Sequence, residues 1–222
     1  MSVVVRVVVL GPPVAGKGTQ AMFLKERLGA CHISTGDMLR KAVNDQSPLG
    51  MKAMKYMDKG KLISDNLILE LMGKHFSQED CKCGFVLDGF PRTRPQALGL
   101  EKLLRNLSLQ LDRVVFINVP RDAIIRRLAG RRTCEKCGNL YHLVFNPSSK
   151  EGVCDRCHEV LYQRSDDRED TIAARYDVYK TQTAPFMIDY YRKGGLLQEI
   201  DGMGNPDEVK GRVFQALGLD VA

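Results

Sequence analysis

Four groups of residues in this chain of 222 have the types and spacing to do chemistry. The first is Gly11-Pro12-Pro13-Val14-Ala15-Gly16-Lys17-Gly18-Thr19, which follows the apolar run Val3 to Leu10 and precedes a helical pattern from Gln20 to Leu28. A strand, a glycine-rich turn and a helix in that order let backbone N–H groups wrap a phosphate. The helix N-terminus adds partial positive charge and Lys17 adds a full one. The expected ligand is a nucleoside triphosphate, against the plainer reading of a tight turn that contains a lysine. The second group, Asp88-Gly89-Phe90-Pro91-Arg92, directly follows the apolar Phe85-Val86-Leu87. A carboxylate at a strand end beside a P-loop is suited to organise Mg²⁺ through its waters. Gly89 admits a close backbone approach, and Arg92 can fork onto a phosphate. Taken alone, the same residues read as a turn.

Arginines form the third group. Arg126, Arg127, Arg131 and Arg132 cluster after a third apolar run, and the spacing of Arg127 and Arg131 predicts one shared helix face. Arg164, Arg168 and Arg175 come later, mixed with Asp166, Asp167, Glu169 and Asp170. Charge runs of this kind usually coat a solvated helix; a strand-end position instead favours phosphate binding. The fourth group is Cys134-x-x-Cys137 and Cys154-x-x-Cys157, with sixteen residues between the pairs. That spacing predicts a four-thiolate tetrahedral zinc site, structural because no coordination position stays open. Gly138 and Tyr141 suit a knuckle turn and its packing. A redox dithiol pair is the alternative, and four thiolates also accept iron or cobalt. His142 and His158 read as surface histidines, and Cys31, Cys81 and Cys83 as ordinary thiols.

Particular elements must hold these groups together. Val3 to Leu10, Phe85 to Leu87 and Val114 to Val119 read as buried parallel strands, with shorter ones ending at Ile33 and covering Leu197 to Ile200. Helical patterns at Leu67 to Phe76 and Ala97 to Leu107 separate them, and Asp207 to Leu217 forms a last helix before Gly218. The expected class is α/β, a doubly wound parallel sheet with ligands at the C-terminal strand ends. Two stretches break the alternation. Residues 34–64 are polar and helical, with Met51, Met54 and Met57; residues 130–167 carry the cysteine pairs and β-like residues from Leu140 to Phe145. Both are expected as insertions on the rim of a core made of residues 1–33, 65–129 and 168–222.

Composition narrows the function classes. A net charge of +6 suits a protein that handles polyanionic small molecules. Apolar runs fall well short of the ~20 residues of a membrane span, and no signal-peptide cleavage pattern is present. Seven cysteines, four of them at metal spacing, fit a reducing compartment, so a cytosolic protein is expected.

These motifs together resemble the adenylate kinases of the long, zinc-bearing type, from Val3 to Gly218. The resemblance rests on the P-loop, on Ser34-Thr35-Gly36-Asp37-Met38-Leu39-Arg40, and on Asp88 to Thr93 with Gln96. Gly130-Arg131-Arg132 and Tyr162-Gln163-Arg164-Ser165-Asp166-Asp167 complete it. It implies a P-loop fold with two mobile insertions, AMP-binding helices and a zinc-bearing lid. It also implies reversible transfer of the terminal phosphoryl of MgATP to AMP, by a monomer with no nucleic-acid or membrane partner. Gly11 to Thr19, with Lys17, would hold ATP, and Arg127 would lie along it. Thr35, Gly36, Arg40, Met57, the Gly60 to Ile63 turn with Lys61 and Leu62, Gly89, Arg92 and Gln96 would enclose AMP, with Gln96 reading the adenine edge. Arg131, Arg164 and Arg175 would converge on the phosphoryl in flight, with Asp166 beside them, and Asp88 would set the Mg²⁺ water shell.

Two departures stand out. Gly18 occupies the position where most P-loops carry a Ser or Thr ligand for Mg²⁺; the kinase family shares this. Val14 replaces the family's usual glycine, and a β-branched residue resists positive φ. A zinc-ribbon nucleic-acid binder with an attached NTPase is the competing class, weakened by the scarcity of aromatics among the basic residues. A kinase for UMP is disfavoured by the long lid and by Gln96.

Overall fold

The computed structural model describes residues 5–76, 81, 84–128, 130–164, 167 and 169–219. Five parallel strands, β1 (Arg6–Leu10), β2 (Cys31–Ser34), β3 (Phe85–Asp88), β4 (Arg113–Asn118) and β8 (Leu197–Asp201), lie in the order β2-β3-β1-β4-β8. Successive residues of a strand face opposite sides of the sheet, and the apolar runs divide accordingly. Val8 and Leu10, Phe85 and Leu87, Val114 and Phe116 point into one core. Val7 and Val9, Val86, Val115 and Ile117 point into the other. Val7, Val8 and Val9 are fully buried, each worth about 1.5–3 kcal/mol of apolar transfer. Strands covered on both faces explain why the sequence shows continuous rather than alternating hydrophobicity.

Helices close both layers. The first core is covered by α4 (Asp65–Phe76) through Ile68 and Met72, by α5 (Arg94–Asn106) through Leu100 and Leu104, and by α8 (Ala184–Lys193) through Met187 and Tyr191. The second is covered by α1 (Lys17–Leu28) through Ala21 and Leu24, by α6 (Arg121–Leu128) through Ala123 and Ile124, and by α9 (Pro206–Ala216) through Val213 and Phe214. The winding reverses at β1, between β3 and β4. That is where ligands bind in open α/β sheets.

Two insertions rise from this rim. In the first, α2 (Thr35–Asn44) starts at Ser34, whose hydroxyl accepts from the Asp37 N–H at 3.3 Å, and α3 (Pro48–Met57) starts at Ser47 with Pro48 at its first position. A Cβ on Gly50 would collide with the Ala42 carbonyl, so glycine is what lets these helices pack. The second is a three-stranded antiparallel sheet, β6-β5-β7, made of β5 (Arg131–Cys134), β6 (Leu140–His142) and β7 (Leu161–Tyr162). Beyond it, α7 (Glu169–Val178) runs into a π-helical turn, Tyr179–Thr183, that leads to α8.

Three expectations need correction. Helix α1 begins at Lys17, not Gln20, because the P-loop itself closes the first helical turn. Arg127 and Arg131 do not share a helix face: α6 ends at Leu128, and Arg131 opens strand β5. Cys31 and Cys81, read as separate thiols, lie side by side with Cα atoms 5.0 Å apart, where β2 meets the chain ahead of β3. Cys83 lies outside the described residues. Among the described residues no helix is long and apolar enough to cross a membrane.

Candidate active site

Strand register gathers the motifs. Val9 pairs with Asp88 across β1 and β3, and Ser34 pairs with Asp88 across β2 and β3, so the P-loop, the Asp88 turn and the start of α2 meet at one sheet edge. Gly202, just past β8, joins them through its N–H to the Asn118 carbonyl at 2.8 Å. Gly11 is required because a Cβ there would lie 2.5 Å from the Ile117 carbonyl. Gly16 adopts φ 91° at the start of α1. Val14 does take the strained conformation that its side chain resists, at φ 59°. Such outliers persist where surrounding structure over-determines them, often at ligand clamps.

Two clefts open from this edge. One is walled by Val14 to Gln20, Asp88, Arg127, Arg131 and Arg164, and roofed by the second insertion. The other is walled by Thr35, Met57, Lys61, Leu62, Ile63, Gly89 and Gln96. Their shared residues are Lys17, Gly36, Arg40, Arg92 and Arg175. The wall between the clefts is therefore cationic apart from one glycine.

That wall is held by local partners. The Lys17 ammonium donates to the Pro12 carbonyl at 2.7 Å, and Arg92 Nε donates to the Gly89 carbonyl at 2.6 Å. Burial, together with Arg92, Arg175 and Arg131 nearby, pushes the Lys17 pKa down to about 7, with Asp88 opposing. Two carboxylates offset the surplus charge. Asp37 pairs with Arg40 at 2.5 Å and with Arg164 at 3.5 Å. Burial opposes its ionisation, yet those two guanidinium groups hold its carboxyl below the usual carboxylate range. Asp167, with a side chain fully buried, forks onto Arg131 and lies 3.5 Å from Arg175. Asp166, the carboxylate singled out from the sequence, lies outside the described residues.

Gln96 sits in the second cleft as expected, with both ends of its amide engaged. Its Oε1 accepts from the Arg92 N–H and its Nε2 donates to Asp65 Oδ1, each at 2.8 Å. That fixes the plane of the amide and leaves one N–H and one lone pair for a ligand. Arg127 donates to the Gly202 carbonyl at 2.8 Å, joining α6 to the turn after β8.

The four cysteines come together with their sulfurs within 4.8 Å of one another. Cys134 to Cys157 is 3.3 Å and Cys137 to Cys154 is 3.5 Å. A tetrahedron with Zn–S bonds of ~2.3 Å has edges of about 3.8 Å, so the set fits one ion. Both knuckles use the same backbone scheme. The N–H of Gly138 donates to the Cys134 carbonyl, and that of His158 to the Cys154 carbonyl. Both residues take positive φ, 71° at Gly138 and 59° at His158. Tyr141 is buried against this cluster, its hydroxyl 3.5 Å from Cys154 Sγ and accepting from the Asp155 N–H at 2.8 Å.

A phosphate loop, two clefts with a cationic wall between them and a cysteine-knotted roof suit a kinase with a small acceptor, and comparison with known proteins identifies which. The family model for adenylate kinase matches residues 9–196. The chain belongs to the adenylate kinase family. It is 51% identical over 212 residues to an adenylate kinase of Carboxydothermus hydrogenoformans, covering 96% of this chain and 99% of that one. It is 52% identical over 210 residues to one from Methanocella arvoryzae, covering 95% and 97%. It is 48% identical over 215 residues to one from Caldicellulosiruptor saccharolyticus, covering 97% and 100%.

Some lining residues of this kinase escaped the sequence motifs. Tyr179 and Thr183 enter the second cleft from the π turn. An α-helix repeats every 3.6 residues, so a step of four overshoots by about 40°. A turn closed i→i+5 undershoots instead, which keeps Arg175, Tyr179 and Thr183 on one cleft-facing stripe. Leu140, Phe145 and Asn146 of the second insertion, and Gly204, Pro206 and Val209 after β8, line the first cleft. The switch-point rule anticipates the turn after β8. The residues of the second insertion had only a β-like pattern to mark them. His158 is exposed as expected, whereas His142 is half-buried and engaged at both ring nitrogens.

Proposed function

We propose that this member of the adenylate kinase family transfers the terminal phosphoryl of ATP to AMP, reversibly giving two ADP. The observation that carries the reading is the pair of clefts whose shared wall is Lys17, Arg40, Arg92 and Arg175. Triphosphate lies in the P-loop cleft and monophosphate in the cleft of Thr35, Gly60 to Ile63 and Gln96, so both phosphate tails meet at that wall. The bond from the γ-phosphorus to its bridging oxygen breaks as one forms to an AMP phosphate oxygen. That acceptor has a second pKa of ~6, so it is already ionised at neutral pH and needs no general base. What remains is to bring two anions together and to spread charge over the group in transit.

Lys17 and the P-loop amides hold the β- and γ-phosphates, Arg92 and Arg40 hold the AMP phosphate, and Arg131, Arg164 and Arg175 face the transferring group. Asp37 and Asp167 keep these arginines oriented before substrate arrives. Bound with ATP, Mg²⁺ neutralises phosphate charge, and Asp88 would hold its water shell. Residues 34–64 act as the AMP-binding insertion and 130–167 as a lid that excludes water and so prevents hydrolysis. Cys134, Cys137, Cys154 and Cys157 hold a structural zinc that stiffens the lid. The kinase works as a cytoplasmic monomer without a nucleic-acid partner.

The test is a matrix of phosphoryl transfer with Mg²⁺: ATP and GTP as donors, AMP, UMP, CMP and GMP as acceptors, and a donor-only control. Rapid ADP formation that requires both ATP and AMP is expected. Hydrolysis indifferent to the acceptor would overturn the reading.

A further inference from the structure

Strand β6 of the lid ends at His142, whose ring is fully engaged. Its Nδ1 lies 3.1 Å from the backbone nitrogen of Val144 and 3.2 Å from that of Phe145. Both are N–H donors, so Nδ1 accepts and carries no proton. Nε2 therefore carries the hydrogen of a neutral ring and donates to the Arg127 carbonyl, 2.9 Å away in the last turn of α6. One side chain thus ties together a lid strand, the loop after it and the helix that precedes the lid. The ring also packs on Phe145, centroids 4.6 Å apart, and fills the space where Gly130 would carry a Cβ. Phe145, Asn146 and Arg127 all line the P-loop cleft, and the edge of the His142 ring reaches the same lining.

We infer that His142 is a positioning residue of the donor site: as a neutral ring it holds Phe145 and Arg127 in place along the triphosphate cleft, and its protonation releases them. This rests on reading that cleft as the ATP site. A proton on Nδ1 would face two N–H donors at once, which removes both bonds to the loop. Burial and the cations facing the ring, Arg127 on α6 and Arg132 on β5, favour the neutral form, while the Arg127 carbonyl opposes them. Arg131, across from His142 in the β5–β6 register, is cationic too, and the loop from Leu143 to Asn146 brings no charge. The neutral latch is complete near pH 7 and is lost as pH falls through the lowered pKa of the folded state.

Three variants separate the roles of the ring. His142→Ala removes the latch, and KM for ATP is expected to rise about tenfold with KM for AMP within twofold. In His142→Asn, Oδ1 can still accept from the two loop amides; in His142→Gln, Nε2 can still reach the Arg127 carbonyl. Neither titrates. Asn should recover most of the loss, because it keeps the loop that carries Phe145. Wild-type KM for ATP, divided by that of His142→Asn at the same pH, should rise between pH 7 and pH 5.5; the ratio cancels protonation of the nucleotides. The inference is overturned if KM rises equally for ATP and AMP, if the ratio stays flat with pH, or if His142→Ala lowers the melting temperature while leaving KM unchanged. Failure of the donor-site reading looks different, since wild-type protein would then not transfer from ATP to AMP at all.

Discussion

Asp167→Asn tests whether a buried carboxylate holds Arg131 and Arg175 ready at the cleft. The Asp167 side chain is fully buried; it forks onto Arg131 of β5 and reaches Arg175 of α7 at 3.5 Å. Asparagine keeps the shape, removes the charge and turns one acceptor into a donor that faces guanidinium N–H groups. Deleting one partner of a buried ion pair costs about 3–5 kcal/mol. Arg131 and Arg175 keep 15% and 19% of their side-chain exposure, so water relieves part of that cost. The lower end, about 3 kcal/mol, is therefore expected. In a chain of this length each kcal/mol moves the thermal midpoint by about 2–4 °C, which gives a fall of roughly 6–12 °C. Bound polyphosphate supplies negative charge to the same arginines, so saturating ATP should raise the midpoint of the variant more than that of the wild type. Differential scanning fluorimetry with and without nucleotide measures both effects. A shift below about 2 °C, or equal stabilisation of both proteins by ATP, would refute the reasoning.

Lys17 should take up a proton when ATP binds. Its folded pKa is about 7 against an ordinary 10.5, so without nucleotide it is largely neutral at pH 8; triphosphate favours the ammonium. Calorimetry in buffers of different ionisation enthalpy should show uptake approaching one proton near pH 8 and little near pH 6, and no uptake at pH 8 would contradict the assignment. Because the unfolded chain keeps this proton up to higher pH, the nucleotide-free protein should also gain stability as pH rises from about 7 toward 10.5. Removing zinc with a chelator should lower the melting transition more than the turnover of molecules that remain folded; lost activity with an unmoved transition would argue against a structural role. Val14→Gly should preserve or tighten ATP binding, because the φ of 59° costs a β-branched residue and not glycine. Titration calorimetry showing a clear loss of affinity would count against this. His158→Gly should stabilise the lid by about 0.5–1 kcal/mol, the αL cost of a side chain less the added entropy of glycine, and an unchanged or lower midpoint would show the second knuckle to be unstrained.

Strands β1, β3 and β4 were legible because burial on both faces leaves an unbroken apolar run, whereas β2 begins Cys31-His32 and has only Ile33 to mark it. The P-loop, the Asp88 turn and the cysteine knuckles were legible because each needs its residues at fixed offsets along one stretch of chain. The junction of the clefts was visible only in pieces. Arg40, Arg92 and Arg175 are far apart in sequence: the β2–β3 register brings the first two together, and α7 supplies the third. Arg127 and Arg131 show the converse failure: their spacing is helical, yet α6 stops between them and leaves one on the helix and the other at the start of β5. Asp167 gave no signal of its own in the sequence, since a run of charged residues does not announce that one carboxylate will be buried between Arg131 and Arg175. Tyr179 and Thr183 depend on a π turn that no residue type announces. The surroundings of His142 are set by three backbone groups around its ring, two of them two and three residues later and one fifteen residues earlier.

The placement of charge gives the two acidic residues a role beyond stability. Four arginines facing one space would repel one another, and burial already drives Lys17 toward neutrality. Asp37, paired with Arg40 and Arg164, and Asp167, paired with Arg131 and Arg175, each bridge an insertion to another part of the chain. A carboxylate so placed holds two guanidinium groups close to one another at the cleft. Arriving phosphates then meet donors whose ordering cost has already been met in folding, which is the preorganisation that electrostatic catalysis requires. The same carboxylates limit how tightly any one phosphate is gripped, because they compete with it for the arginines. A reversible transfer needs that limit, since both ADP products must leave the wall that drew the substrates in.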